Sequence, residues 1–320
     1  MWKKLSLLMI TALLAIVMAA CGSNVEKEES KTSSEPKKEA EEVTVKHDLG
    51  ETKVKKNPEK VVVFDFGSLD TLDKLGVEVT GLPKQNIPKY LSKYEEDKYE
   101  NVGSLKEPDF EKVNELSPDL IIISGRQAEL YDQFAEIAPT IYLGVDPADF
   151  MNSFEKNTKM LGEIFGKEDE VQTELANVED EIGKLKKQAS KENKTALVVL
   201  ANDGKVSAYG PGSRFGIIHD VFGITPVDKD IEVSTHGQSI SFEYIVEKDP
   251  DYLFVIDRGA VVAEGGGSSA KQVIENDLVK NTKAYKDGQI VYLDPGYWYL
   301  SGGGLESVSA MVKEVQAALK

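Results

Sequence analysis

Arginine is scarce in this chain, and its placement is informative. Of thirty-eight basic residues among 320, only Arg126, Arg214 and Arg258 carry a guanidinium. That group is planar, permanently charged, less strongly hydrated than ammonium, and able to grip an oxygen pair with two parallel N–H bonds. A sequence that otherwise uses lysine needs this chemistry at three places. Two of the three occupy the same position in an internal repeat. Phe110 to Arg126 aligns without a gap on Phe242 to Arg258 at a constant offset of 132, with the Phe, both Glu, Pro, Asp and Arg identical. The pattern predicts two similar lobes, each presenting an arginine to one shared anionic ligand. Three cations about 8 Å apart repel by roughly 2 kcal/mol per pair at an effective dielectric of about 20, a cost that a bound polyanion removes.

The elements that must hold these arginines follow from periodicity. Val43 to Val54 alternates around Asp48-Leu49-Gly50, as a short hairpin does. Lys60–Phe64 reads as a strand, Leu69–Leu75 as helix and Val77–Thr80 as a second strand. The first repeat copy supplies helix (Phe110–Leu116), a Pro-Asp turn and a buried strand (Leu120–Ile123), then a helix over 127–137 and a strand from Thr140 to Leu143. Residues 148–190 read as helix with one break near Gly166-Lys167, too long for a loop. A second α/β unit begins at Thr195–Leu200 and ends in a helix from Leu305 to Leu319. Near-continuous apolar strands alternating with helices indicate an α/β fold, with a mostly parallel, doubly covered sheet in each lobe. The division expected is an N-terminal lobe over 43–147, a stiff helical connector over 148–190 and a C-terminal lobe over 191–320. Arg126 and Arg258 then follow strands at the carboxyl edge, where open α/β sheets hold ligands. Arg214 lies in the turn Tyr209-Gly210-Pro211-Gly212-Ser213-Arg214, with Ser213 expected to cap a following helix.

The N-terminus indicates location. Lys3 and Lys4 precede sixteen uncharged, mostly apolar residues, Leu5 to Ala20, ending at Met18-Ala19-Ala20-Cys21-Gly22. Such a run is short for a membrane span and fits a secretory signal over 1–20. It is similar to a bacterial lipoprotein signal, which would make Cys21 the lipidated first residue of the mature chain, with Met18 where leucine is usual. Residues 21–42, rich in Ser, Lys and Glu, form a solvated tether. Cys21 is the sole cysteine, so no disulfide forms within a monomer. The formal charge of −17 becomes −19 once Lys3 and Lys4 leave, which disfavours nucleic acid as a partner.

Several clustered motifs resemble one known family across essentially the whole mature chain. They are Glu107-Pro108-Asp109-Phe110-Glu111, Ser124-Gly125-Arg126-Gln127, Gly212-Ser213-Arg214-Phe215-Gly216, Thr235-His236-Gly237-Gln238-Ser239, Val255-Ile256-Asp257-Arg258 and Tyr297-Trp298-Tyr299-Leu300-Ser301. Together with the lipobox, they are similar to iron-siderophore substrate-binding lipoproteins, more closely the catecholate branch, and within it the petrobactin-binding lipoproteins of Gram-positive bacteria. The resemblance implies a class III periplasmic-binding-protein-like architecture, two lobes on a helical backbone. It implies a monomer, lipid-anchored on the outer face of the cytoplasmic membrane, that delivers a ferric siderophore to an ABC permease and its ATPase. It also assigns Arg126, Arg214 and Arg258 to neutralising the ferric catecholate. Lys106, and less directly Lys84, are candidates for added charge. His236 and Tyr299 would complete iron coordination when a siderophore leaves sites open. Glu111 and Glu243, one per lobe, would dock on the permease, with Glu107 an alternative in the first lobe. No intrinsic cofactor is implied; the Fe(III)–siderophore is cargo.

Residue chemistry agrees with this assignment. Three dianionic bidentate donors around Fe(III) leave a trianionic centre, and arginine can stack on catechol rings while donating to their oxygens. Tyr297, Trp298 and Tyr299 would supply an aromatic wall. The three histidines, His47, His219 and His236, show no metal-site spacing, and no nucleophile elbow or triad is apparent, so free-metal receptors and enzymes are disfavoured. A receptor for a hydroxamate or haem, or an adhesive lipoprotein, are the competing readings. A Gly265-Gly266-Gly267 run follows Arg258 and would shape the rim.

Overall fold

The computed structural model describes residues 41–262 and 269–319. The signal segment, Cys21, nearly all of the tether and the Gly265-Gly266-Gly267 run lie outside the described residues.

Inward-facing Val43, Val45 and His47 alternate along β1 (Glu42–His47), which pairs antiparallel with β2 (Gly50–Lys55) as the hairpin pattern requires. β3 (Val61–Val63) is buried throughout, and α1 (Phe66–Lys74) starts where the Asp65 carboxylate accepts the Ser68 N–H at 2.7 Å. β4 (Gly81–Leu82) and β5 (Glu100–Asn101) follow. The strand expected at Val77–Thr80 therefore sits a few residues later: Thr80 hydrogen-bonds the start of β3, while the ladder pairs Val62 with Gly81. After α2 (Phe110–Leu116) and β6 (Leu120–Ile123), the helix expected over 127–137 is divided into a 3-10 turn, Gly125–Leu130, and α3 (Tyr131–Ala135). The buried Gln127 side chain accounts for the tight first turn, accepting the Ser124 N–H at 3.3 Å and donating to the Leu105 carbonyl at 2.6 Å. β7 (Thr140–Tyr142) completes a wholly parallel sheet of order β5-β4-β3-β6-β7.

The connector is two helices, α4 (Phe150–Phe165) and α5 (Glu168–Glu192). Gly166 ends the first in the left-handed conformation (φ 61°), where glycine carries no Cβ penalty. Leu161, Ile164 and Phe165 pack into the first lobe, whereas Val171 to Ala189 pack toward the second.

The second sheet opens with β8 (Thr195–Asn202), which turns back into β9 (Lys205–Tyr209) through Asp203-Gly204. Both turn residues have positive φ (48° and 76°), as a two-residue primed hairpin requires. There follow α6 (Ile217–Asp220), β10 (Thr225–Pro226), β11 (Gln238–Ile240), α7 (Phe242–Lys248), β12 (Tyr252–Asp257), α8 (Gly259–Val262), α9 (Ala270–Ile274), α10 (Lys283–Lys286) and β13 (Ile290–Leu293). The order is β11-β9-β8-β12-β13, with β10 also parallel to β8. β9 is antiparallel to both its neighbours, and the remaining pairs are parallel. Ser213 does not cap α6 as expected. Its hydroxyl turns back onto the Gly210 carbonyl, and Gly216 holds the cap position.

The repeat is structural down to single bonds. Asp109 and Ser241 cap α2 and α7, and Ser117 and Asp249 end them with φ of 49° and 43°. Asp119 accepts the Glu59 and Lys60 N–H groups ahead of β3, and Asp251 accepts Thr195 N–H at the start of β8.

A second junction joins the lobes. A π-helical turn, Gly296–Ser301, leads through three glycines into α11 (Leu305–Ala318). Trp298 lies in the core shared with the second lobe, and Leu300 in the core of the first. The buried Asp70 carboxylate on α1 accepts the N–H groups of Glu306 and Ser307, each at 2.7 Å, and the Tyr90 hydroxyl at 2.8 Å. It thereby caps α11 from the other lobe. A methyl on Gly304 would fall 2.3 Å from the Asp70 carboxyl carbon, and one on Gly67 would fall 2.4 Å from the Ser301 carbonyl. Neither position has room for a side chain.

Candidate functional site

β6 and β12 deliver their arginines to one cleft of about 1090 Å³. Arg126 enters it from the 3-10 turn after β6. Ser124, the residue before that turn, is held by a 2.8 Å bond from its hydroxyl to Asp65. Arg258 follows β12 directly, and Arg214 enters from the turn after β9. All three meet at Tyr299. The Nη2 groups of Arg126 and Arg214 each donate to the Tyr299 main-chain carbonyl at 2.7 Å. Arg258 Nε donates to the Tyr299 hydroxyl at 2.8 Å, and its Nη1 donates to the Asn202 side chain at 2.7 Å. The three guanidinium carbons lie 5.9, 4.2 and 5.7 Å from the Tyr299 ring centre, for Arg126, Arg214 and Arg258 in turn.

The electrostatics follow from this crowding. Burial, then the charge of Arg126, pushes the Arg214 guanidinium down from its ordinary value. Burial alone would raise the Tyr299 phenol. The bond from Arg258 and the charges of Arg214 and Arg258 outweigh it, and the net shift is downward. Tyr209, on the same wall, is raised because burial exceeds the opposing effect of the arginines. Such a site favours an anion that brings several oxygens at once.

The other candidates divide. Lys106 and His236 line the cleft and are exposed, His236 on a loop with Val233, which is 60% exposed. Lys84 is not among the lining residues; its ammonium donates to the carbonyls of Glu95 and Glu96 at 3.2 and 2.8 Å. Trp298 borders the cleft yet is only 2% exposed. Its indole N–H donates to Glu314 at 2.7 Å and its ring meets the edge of Phe222, so it packs more than it presents. Tyr297 packs against Tyr90 with the rings tilted by 33° and their centres 4.5 Å apart, and it does not line the cleft. Glu111 and Glu243 are exposed in the first turns of α2 and α7, away from the cleft, and Glu107 is exposed nearby. Among the described residues no group of three His, Cys, Asp or Glu could hold a metal, and no helix is long and apolar enough to cross a membrane.

Sequence reasoning missed Asn202, Tyr142 and Asp65 as cleft residues. The Asp203-Gly204 turn could have placed Asn202 at a strand end. Nothing local could have shown that Asp65 reaches Ser124, fifty-nine positions away.

The description of a periplasmic binding protein fits residues 61–297 as a family model. The chain belongs to that family. Among its members, the petrobactin-binding protein YclQ of Bacillus subtilis is 59% identical over 322 residues, covering 99% of each chain. The YclQ crystal structure superposes with a TM-score of 0.85 at 62% identity over 88% of this chain and 99% of that one. The periplasmic catecholate-siderophore binding protein VctP of Vibrio cholerae gives a TM-score of 0.82 at 37% identity, covering 87% and 100%. The α/β architecture expected from the sequence is thus that of a periplasmic binding protein whose solved relatives include siderophore binders.

Proposed function

We propose that the chain is an extracytoplasmic substrate-binding lipoprotein that captures a ferric catecholate siderophore, petrobactin-like, and delivers it to an ABC importer. The observation that carries this reading is the convergence of three guanidiniums, drawn from both lobes, around one tyrosine in an open cleft. The names of the two relatives above support the ligand class. Catecholate oxygens would take the N–H groups that Tyr299 leaves free, and Lys106 would add charge at the mouth. His236 and Tyr299 would enter iron coordination only for siderophores that leave sites open. Cys21 would carry the lipid, and Glu111 and Glu243 would meet the permease, with Glu107 the alternative contact.

Trp298 sits beside the Tyr299 hub, so titration of its fluorescence with Fe(III) complexes of a bis-catecholate, a trihydroxamate and haem tests the proposal. Saturable quenching by the bis-catecholate at the lowest concentration is expected. Tight binding of only the hydroxamate or haem would overturn the ligand class. No binding of any iron chelate would favour an adhesive role.

A further inference from the structure

The bonds of Tyr299 describe a task other than touching iron. Its carbonyl faces two guanidiniums from opposite lobes, and its hydroxyl faces the third. That carbonyl is available because the π-helical turn ends at Ser301. In a continued π-helix it would accept the N–H five residues on, at Gly304. The Gly304 N–H instead goes to the Ser307 hydroxyl at 3.0 Å, and the next N–H, Leu305, goes to Thr71 at 3.2 Å. The turn is fixed on both sides of Tyr299, by Trp298 in one core and Leu300 in the other. An oxygen on such a frame cannot drift toward either lobe.

We propose that Tyr299 is the positioning residue of the arginine trio, assembling the anion site before the ligand arrives. Its carbonyl spaces Arg126 from Arg214 and its phenol aims Arg258. Each guanidinium has five N–H donors; Arg126 and Arg214 give one to the Tyr299 carbonyl, Arg258 gives one to the Tyr299 hydroxyl and one to Asn202, and the others face the ligand. The electron-rich carbonyl also lies where the two like charges would otherwise repel across the cleft. Preorganisation of this kind raises affinity by lowering what binding must order. The proposal rests on the reading of the trio as the ligand's anchor.

The test uses the mature chain and an iron complex of a hexadentate tris-catechol, which leaves iron no open site and so excludes direct coordination by the phenol. Tyr299→Phe keeps ring and carbonyl and removes the phenol's bond from Arg258, together with its lesser interaction with Arg214. It should weaken binding about tenfold, the scale of one charge-assisted hydrogen bond. In an Arg258→Ala background the same change should cost less than about twofold, the non-additivity expected of residues acting through one another. Undiminished binding by Tyr299→Phe, or an equal loss in both backgrounds, would overturn the proposal. A ligand-free arm separates this outcome from failure of the functional reading. The phenol titration that distinguishes wild type from Tyr299→Phe should move to higher pH in Arg258→Ala. If it does not move, Tyr299 does not engage Arg258. Wild type that binds no ferric catecholate would instead remove the proposed function, leaving the ligand-free arm to decide the contact.

Discussion

The two copies of the repeat share a frame and differ in what surrounds it. Capped helix, left-handed exit, anchoring aspartate, buried strand and arginine coincide at an offset of 132. Yet Arg126 leaves a wholly parallel sheet and bonds a main-chain carbonyl. Arg258 leaves a sheet with an antiparallel hairpin and bonds two side chains, Tyr299 and Asn202. A repeated unit can thus deliver a charge to an edge, while the non-repeated neighbours decide where its N–H groups point. The hairpin through Asp203-Gly204 brings Asn202 to Arg258, and the chain that follows it leads to Arg214. The second lobe therefore supplies two of the three cations.

The largest effect should come from undoing the joint that keeps both copies in register. Asp70→Ala leaves two helix N–H groups without their acceptor and the Tyr90 hydroxyl with Ser301 alone, and should cost roughly 2–4 kcal/mol in denaturant unfolding. Burial raises Asp70 from 3.8 to about 6, against the bonds from Glu306, Tyr90 and Ser307. The native state therefore holds a proton at this carboxyl between those values that the unfolded chain has released. From this group alone stability is fully present below pH 3.8 and declines as pH rises through about 6. Asp70→Asn should flatten that segment of the stability–pH curve. An unchanged slope would show that Asp70 does not set it.

Next in size are the arginines. Arg126→Ala, Arg214→Ala and Arg258→Ala should each weaken ferric catecholate binding by about 1.5–3 kcal/mol in fluorescence titration, with folding nearly intact. Arg214 should cost most, its guanidinium lying nearest the Tyr299 ring. Lysine should restore only part of each loss, since charge returns without the planar fork. If full affinity returned with lysine, geometry would not matter.

A smaller effect separates the two aspartate anchors. Asp251 accepts both Thr195 N–H and its hydroxyl in a part-buried setting, whereas Asp119 accepts two exposed N–H groups. Asp251→Ala should cost about 1–2 kcal/mol and Asp119→Ala about 0.5–1 kcal/mol in thermal or denaturant unfolding. Equal costs would make the copies interchangeable. Smallest of all in its effect on the cleft, Glu111→Arg with Glu243→Arg should leave ligand affinity unaltered while abolishing iron uptake by cells, because exposed charges govern docking more than a distant cleft. Normal uptake would remove them from the permease contact.

What the sequence revealed tracks how local its causes are. Buried strands, the broken connector and the hairpin at Asp48-Leu49-Gly50 depend on neighbours within a few positions, and periodicity or a glycine exposes them. The arginine trio was legible because rarity and repetition coincide. The Tyr299 hub was not, since a freed carbonyl in a π-helical turn has no signature in residue type. Lys84 illustrates the opposite failure: its charge suits the cleft, but nearby carbonyls claim its ammonium. Ser213 fits a capping pattern and nevertheless bonds backward to Gly210.

The junction at Asp70 also bears on the order in which the molecule can be made. Leu300 fills part of the first lobe's core, and α1 receives its partner helix from residues more than 230 positions later. As the chain emerges N-terminus first, the opening half cannot seal its interior when it is synthesised. It must wait for Leu300 and for α11, which packs on α1. The lobes are two in architecture and one in maturation, and a chain held by its C-terminus stays short of its native state.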